Sequence, residues 1–335
     1  MKQRASLGFG IAVLLLGLFV YAVGWDDVLG AAARADLGVY ALAFVSVTCC
    51  LGFRSMTWVR VLRTVGVIIP RRLVTAVFLA STFVKYVTPY GQVAASPGIA
   101  YVLSRYSDVN YEEDFAAVLS ADFLNYLPYY SFGAFGAGYV VWTSPRTPDL
   151  GGYAVAAPVM VTGIAAALAV FWFRRDFVER TVIRIVSPTR RIVGIVSEER
   201  AARLTREGIT SRIDGFYETL DLVTTSRRDV LVALGYAHLG WLGFALALYS
   251  VALALDAPLS LGGAMLAVAL SKLGFVVPLP GGLGGVELTI AGVLFLIAPI
   301  SPAVATAIAI LYRLAAYWFP VLLGGMSSIV LSWRG

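Results

Sequence analysis

Phe275-Val-Val-Pro-Leu-Pro-Gly-Gly-Leu-Gly-Gly-Val-Glu287 interrupts an apolar run that extends from Leu259 to Ile300. Pro278, Pro280 and the glycines at 281, 282, 284 and 285 cannot continue a helix. Proline lacks the amide hydrogen, and glycine is selected where the backbone must turn sharply. Two readings are open. The stretch is a tight turn in water between two ordinary spans, with Glu287 starting the second, or it is a break at membrane depth. A break at that depth must be buried in protein or line a wet cavity, because an unpaired backbone group facing lipid costs several kcal/mol. Lys272, in the preceding arm Ala264–Val277, favours the second reading. An ammonium inside an apolar helix is expensive unless it is paired or meets water.

The rest of the chain supplies the membrane. Of 335 residues 59% are hydrophobic and only 14% charged, with mean hydropathy +0.81. A soluble domain carries about 25% charge, because its surface must be solvated. Net charge is +6, almost all of it from arginine, since Lys2, Lys85 and Lys272 are the only lysines. The arginines gather in a few loops, as topology determinants do, and no nucleic-acid partner is expected. A single histidine, His238, argues against a histidine-built metal site, and no cofactor is expected. Cys49 and Cys50 are adjacent and are expected only to pack.

A spanning helix needs about 20 apolar residues. Leu7–Gly24, Leu37–Val59, Phe115–Trp142, Tyr153–Phe173, Val230–Leu255 and Pro302–Arg334 meet that need. Leu73–Val87 and Ile99–Leu103 are short arms around Thr88-Pro-Tyr-Gly-Gln92 and read as a re-entrant hairpin from the cytoplasmic side. The segment around Pro280 reads as a second hairpin entering from outside; if the hairpin arms cross fully, the count becomes eight spans. The expected fold is therefore an all-α integral membrane protein, a helical bundle of about six full spans plus two opposed re-entrant hairpins. It forms a single transmembrane domain over residues 1–335. Basic residues near both ends place the N- and C-termini in the cytoplasm and the chain in the cell membrane. Residues 174–228, with twelve arginines and eight acids, form a cytoplasmic loop. Leu204, Ile209, Ile213, Phe216 and Leu220 recur there at the spacing of an amphipathic helix.

The deep charges are the candidates for chemistry. Lys85 stands four residues before Pro89, as Lys272 stands before the second break. Arg313 lies within Ala303–Phe319. Asp122 shares a polar face with Asn125, Tyr126, Tyr129 and Tyr130. One account has Asp122 or Glu287 neutralising Lys272 or Arg313. The other has Lys85, Lys272 and Arg313 surrounding a cationic cavity for an anionic head group. Both remain open on these residues alone.

The stretch from Phe275 to Glu287 resembles the proline–glycine–glutamate signature of the flippase-like membrane family related to the transmembrane region of lysylphosphatidylglycerol synthase. Leu311-Tyr312-Arg313-Leu314 resembles that family's tyrosine–arginine element. Pro89, Gly91 and Gln92 stand where the family has proline, glycine and glutamate, so no carboxylate is present there. The resemblance implies a bundle that moves an anionic phospholipid or polyprenyl-phosphate-linked lipid between leaflets. It places Pro89, Gln92, Pro280, Gly281, Gly282, Gly284, Glu287, Tyr312 and Arg313 at the substrate site beside Lys85, Asp122, Asn125 and Lys272. In the synthases a soluble aminoacyl-transferase domain follows the membrane region. The chain ends at Gly335, so transport without aminoacylation is expected, with no catalytic residues. The alternatives are a membrane enzyme acting on a lipid phosphate or glycolipid, and a non-transporting scaffold for a glycosyltransferase. An enzyme needs paired acids for a metal, or a nucleophile with a base. The cytoplasmic cluster Glu112, Glu113 and Asp114 fits a solvated helix start better.

Overall fold

A computed structural model describes residues 24–88, 91, 95–143, 225–276 and 279–334, together with Tyr21 and isolated positions between 180 and 221. Within these residues the chain is helical and contains no strand. The order is α1 (Trp25–Ala32), α2 (Leu37–Thr64), α3 (Arg71–Val87), α4 (Ser96–Leu103), α5 (Tyr111–Thr143), α6 (Arg227–Ala254), α7 (Leu261–Leu270), α8 (Gly285–Ile297), α9 (Pro302–Arg313) and α10 (Phe319–Arg334).

Starts are capped as the sequence dictates. Asp36 accepts from the amides of Gly38 and Val39 at the head of α2. Ser260 accepts from Gly263 ahead of α7, and Ser301 from Val304 ahead of α9, where Pro302 takes the first helical position. Among the described residues, Leu37–Thr64, Arg227–Ala254, Pro280–Ile297 and Pro302–Trp333 are long and apolar enough to cross a membrane. The expected spans Leu37–Val59 and Val230–Leu255 thus correspond to α2 and α6, and the final segment to α9–α10. Phe115–Trp142 falls within α5, which is 33 residues long and acidic in its first turn. Of Leu7–Gly24 only Tyr21 and Gly24 are described, Tyr153–Phe173 lies outside the described residues, and the expected amphipathic helix falls where only isolated positions are described.

In a bilayer, helices gain little from burying apolar surface against one another. Close backbone approach through small residues takes over. The long antiparallel pair α2–α6 is closed by Gly240 and Gly243. A methyl on Gly243 would stand 2.7 Å from the Ser46 carbonyl oxygen, and one on Gly240 would stand 2.5 Å from the Arg54 side chain. Gly324 brings α10 equally close to the Leu79 carbonyl of α3, where Ser327 also donates to Ala76 (2.9 Å). Gly136 does the same for α5 against α7.

Two regions depart from regular helix, and both flank the sequence signals. After Leu270 the chain tightens into a 3-10 turn, Ser271–Val276. Lys272 therefore sits on that turn rather than in the α-helical arm expected through Val277. Pro280–Gly282 forms a second short turn. Gly281, Gly282 and Gly284 adopt φ of 58°, 63° and 82°, a left-handed geometry that only glycine takes up without strain. Between α9 and α10 the helix widens into a π segment, Leu314–Trp318, without interrupting the rod.

Candidate functional site: a cation-lined cleft between two interrupted helices

The described part of the second break is buried, so it is not a loop in water. Pro280, Gly281 and Gly282 are shielded from solvent. Gly281 packs so closely that an added methyl would stand 2.0 Å from the Tyr317 ring. Gly274 and Gly285 meet backbone to backbone, where each would force its neighbour away if it carried a side chain. Two of the turn's amides are bonded internally, Gly282 to Leu279 and Leu283 to Pro280. A carbonyl of the turn, that of Gly281, accepts from Arg313 Nη2 at 2.8 Å.

Arg313 ends α9. Its Nε donates to Glu287 Oε1 at 2.8 Å, and its guanidinium lies 4.1 Å from the Tyr317 ring centre. Glu287 is 1% exposed, in the first turn of α8. That helix start favours a carboxylate. One residue pair thus ties the turn, the start of α8 and the end of α9 together.

A second pair fastens the first interruption. Lys85, in the last turn of α3, is buried and ion-paired with Asp122 of α5. Asp122 also accepts from the Trp58 indole at 3.2 Å. Asn125, one turn along α5, donates to the Arg54 carbonyl (3.2 Å), and its own carbonyl receives the Trp241 indole N–H (2.5 Å). Gly91 is packed against the Lys85 backbone. Pro89 and Gln92 lie outside the described residues.

Between the two pairs runs a cleft. One part is lined by Arg54, Phe78, Thr82, Lys85, Asp122 and Tyr126. The other holds Trp241, Phe275, Tyr312 and Arg313, and Tyr86 and Lys272 border both. The enclosed space is small in this arrangement, about 30 Å3 beside Arg313 and about 10 Å3 beside Lys85, room for water but not for a head group without movement of the lining side chains. Of the expected residues, Lys85, Asp122, Lys272, Tyr312 and Arg313 reach the cleft. Asn125 and Glu287 stand behind it as supports, Pro280, Gly281 and Gly282 shape the buried turn, and Gly284 caps α8.

Arg54 belongs to this group although the sequence sets it with Arg60, Arg63, Arg71 and Arg72, among which the expected span Leu37–Val59 ends. It is buried at 8% exposure, and its guanidinium carbon lies 5.7–6.0 Å from the rings of Phe78, Trp241 and Phe244. Lys272 is half-buried and lies against the rings of Tyr126, Trp241 and Phe275, at 5.8, 5.2 and 4.7 Å. Neither cation has a carboxylate within ion-pair distance among the described residues. A cation–π contact contributes about 0.5–2 kcal/mol, whereas taking an ion out of water costs several kcal/mol. The rings alone leave both charges under-compensated.

The fold and site define a polytopic helical membrane protein with charged, interrupted helices at its centre. Residues 6–324 match the family described as the lysylphosphatidylglycerol synthase TM region, and the chain belongs to that family. It is also similar to a UPF0104 membrane protein of Methanothermobacter thermautotrophicus, 24% identical over 321 residues that make up 95% of this chain and 93% of that protein.

Proposed function

We propose that the protein translocates a membrane lipid with an anionic head group, an anionic phospholipid or a polyprenyl-phosphate-linked lipid, between the two leaflets. The observation that carries this reading is the convergence of Arg54, Lys85, Lys272 and Arg313 on one cleft between two interrupted helices. A phosphate crossing hydrocarbon must exchange its water for other partners, and guanidinium and ammonium groups are suited to that exchange. The head group enters the cleft while the tail stays in the bilayer. Substrate is moved without any bond being made or broken, so the chain acts as a transporter and not an enzyme.

In this scheme α3 with α4, and α7 with α8, are the arms of two opposed re-entrant hairpins within a single domain of six full spans. At about 25 Å and 12 Å, α3 and α4 are too short for the roughly 30 Å hydrocarbon layer. The arginine-rich loops orient both termini toward the cytoplasm of the cell membrane. The surplus of positive charge favours an anionic head group over a lysylated one, whose ammonium groups would meet Arg54 and Lys272 as like charges.

Proteoliposomes carrying head-group-labelled phosphatidylglycerol or polyprenyl phosphate test the proposal. Dithionite bleaches label in the outer leaflet only. Protein-containing vesicles are expected to lose more than the outer half. Bleaching no greater than in empty liposomes, for every anionic and polyprenyl lipid, would overturn the reading.

A further inference from the structure

We infer that Arg54 and Lys272 form a site for a phosphate group bearing two negative charges, as in a lipid phosphate monoester or diphosphate; this rests on the translocation reading above and narrows its substrate class. The charge balance of the cleft carries the inference. Four cations, Arg54, Lys85, Lys272 and Arg313, face two acids among the described residues. Asp122 is paired with Lys85, and Glu287 with Arg313. Two basic groups are left without an acid, and both lie against the same indole, that of Trp241, at 6.0 Å and 5.2 Å.

The geometry agrees with the count. Arg54 comes from α2 and Lys272 from the 3-10 turn after α7, so two separate elements converge on Trp241, which Asn125 holds in place. Arg54 Nε is buried with no hydrogen-bond acceptor. A guanidinium presents five donors in a rigid plane that matches phosphate oxygens two at a time. Lys272 adds a compact charge, and Tyr86 and Tyr312 bring phenol groups to the adjoining wall. Phe78, Phe244 and Phe275 exclude water around them, which makes a mismatch of charge expensive. A phosphodiester with one charge leaves one cation unmatched, and a zwitterionic head group leaves both.

The full chain in zwitterionic nanodiscs provides the test. Binding of short-chain fluorescent phosphatidic acid, phosphatidylglycerol and phosphatidylcholine is measured by anisotropy at pH 8, where a phosphate monoester, with its second pKa about 6, is doubly charged. Inorganic pyrophosphate is added as a soluble competitor. Phosphatidic acid should bind at least about tenfold more tightly than phosphatidylglycerol. Arg54→Gln and Lys272→Gln should each erase that preference, while Arg54→Lys and Lys272→Arg retain most of it.

Equal affinity for the two lipids, no binding at all, or a preference unchanged in the glutamine variants would overturn the site. Pyrophosphate displacing the lipid at equal concentration would overturn the lipid as its ligand in favour of a soluble one; failure to displace supports the lipid. Should Arg54→Gln fail to fold, Lys272→Gln carries the test, since it removes a desolvated cation that has no carboxylate partner. The same lipids in the bleaching assay separate this inference from translocation. Phosphatidic acid bound with preference but not moved sinks translocation and leaves the site. Lipid moved without regard to head-group charge sinks the site and leaves translocation.

Discussion

Replacing Glu287 with glutamine keeps the shape of the side chain and removes only its charge. Arg313 then keeps the Gly281 carbonyl at 2.8 Å and the Tyr317 ring at 4.1 Å, but loses its counter-ion. Opposite charges about 4 Å apart at an effective dielectric constant near 20 attract by about 4 kcal/mol. The glutamine oxygen still accepts a hydrogen bond, which returns about 1 kcal/mol. The expected loss is about 3 kcal/mol, close to the 3–5 kcal/mol seen when one member of a buried pair is removed. That is about two decades in the folded-to-unfolded ratio. Arg313→Met should cost a similar amount, because Glu287 is buried and its Oε2 already lacks a hydrogen-bond partner. The double variant should cost far less than the sum, with a coupling of about 2–3 kcal/mol. Equilibrium unfolding in mixed micelles with increasing dodecyl sulfate, for wild type and all three variants, measures the cycle. Additivity within about 0.5 kcal/mol would refute the view that these residues neutralise each other.

Three further outcomes follow from the same geometry. Gly274→Ala and Gly285→Ala should each lower thermal stability in detergent by about 1–3 kcal/mol, since the new methyl meets facing backbone at 2.3–2.4 Å; Gly292→Ala, with nothing within 4 Å, should be neutral or slightly stabilising, and equal effects at all three would remove the crossing as the cause. Asp122→Asn should cost about 3–5 kcal/mol by stranding Lys85, against about 1–3 kcal/mol for Trp58→Phe, which removes a hydrogen bond to Asp122 and part of a fully buried ring but leaves the ion pair; unfolding midpoints in the reverse order would contradict the pairing. Asp114 stands one residue before the expected span that begins at Phe115. Burial, and secondarily Glu113, push its carboxyl up to about 6, against a partly offsetting hydrogen bond from Ser107. The folded state therefore holds this proton more tightly than the unfolded chain, so the stabilisation is complete below about pH 4 and is lost as pH rises through about 6. Melting temperature followed across that range should fall in wild type relative to Asp114→Asn, and parallel curves would dismiss Asp114 as the titrating group.

The sequence shows the membrane, the helical class and the second break, because apolar length and proline–glycine clustering are local properties. It also marks Lys85, Lys272, Asp122, Glu287 and Arg313 as charges set within apolar segments. It does not show who pairs with whom. Asp122 could have faced Lys272 or Arg313, and only the folded arrangement, which brings Lys85 of α3 and Trp58 of α2 to the same carboxylate, gives it to Lys85. Arg54 was missed because it opens the run of arginines among which the expected span Leu37–Val59 ends. α2 in fact continues to Thr64, ten residues further, or about 15 Å along the axis. The one local hint is on another helix, where Gly240 and Gly243 make room for the Arg54 side chain and the Cys50 backbone. The π segment after Arg313 left no trace in a sequence that is apolar throughout.

Each buried pair joins a helix end at an interruption to a neighbouring element, Lys85 to α5 and Arg313 to the start of α8. Opening either pair for a ligand would strand two charges in a low-dielectric interior, at a cost of several kcal/mol. A ligand that relied on Lys85 or Arg313 would have to displace Asp122 or Glu287 to reach them. Arg54 and Lys272 impose no such requirement: no carboxylate among the described residues pairs with them, and beside its aromatic neighbours Arg54 holds only the uncharged side chains of Tyr86, Tyr126 and Cys50. The carboxylates therefore hold the interruptions in shape. The cations that lack them are the ones able to exchange solvent for a head group.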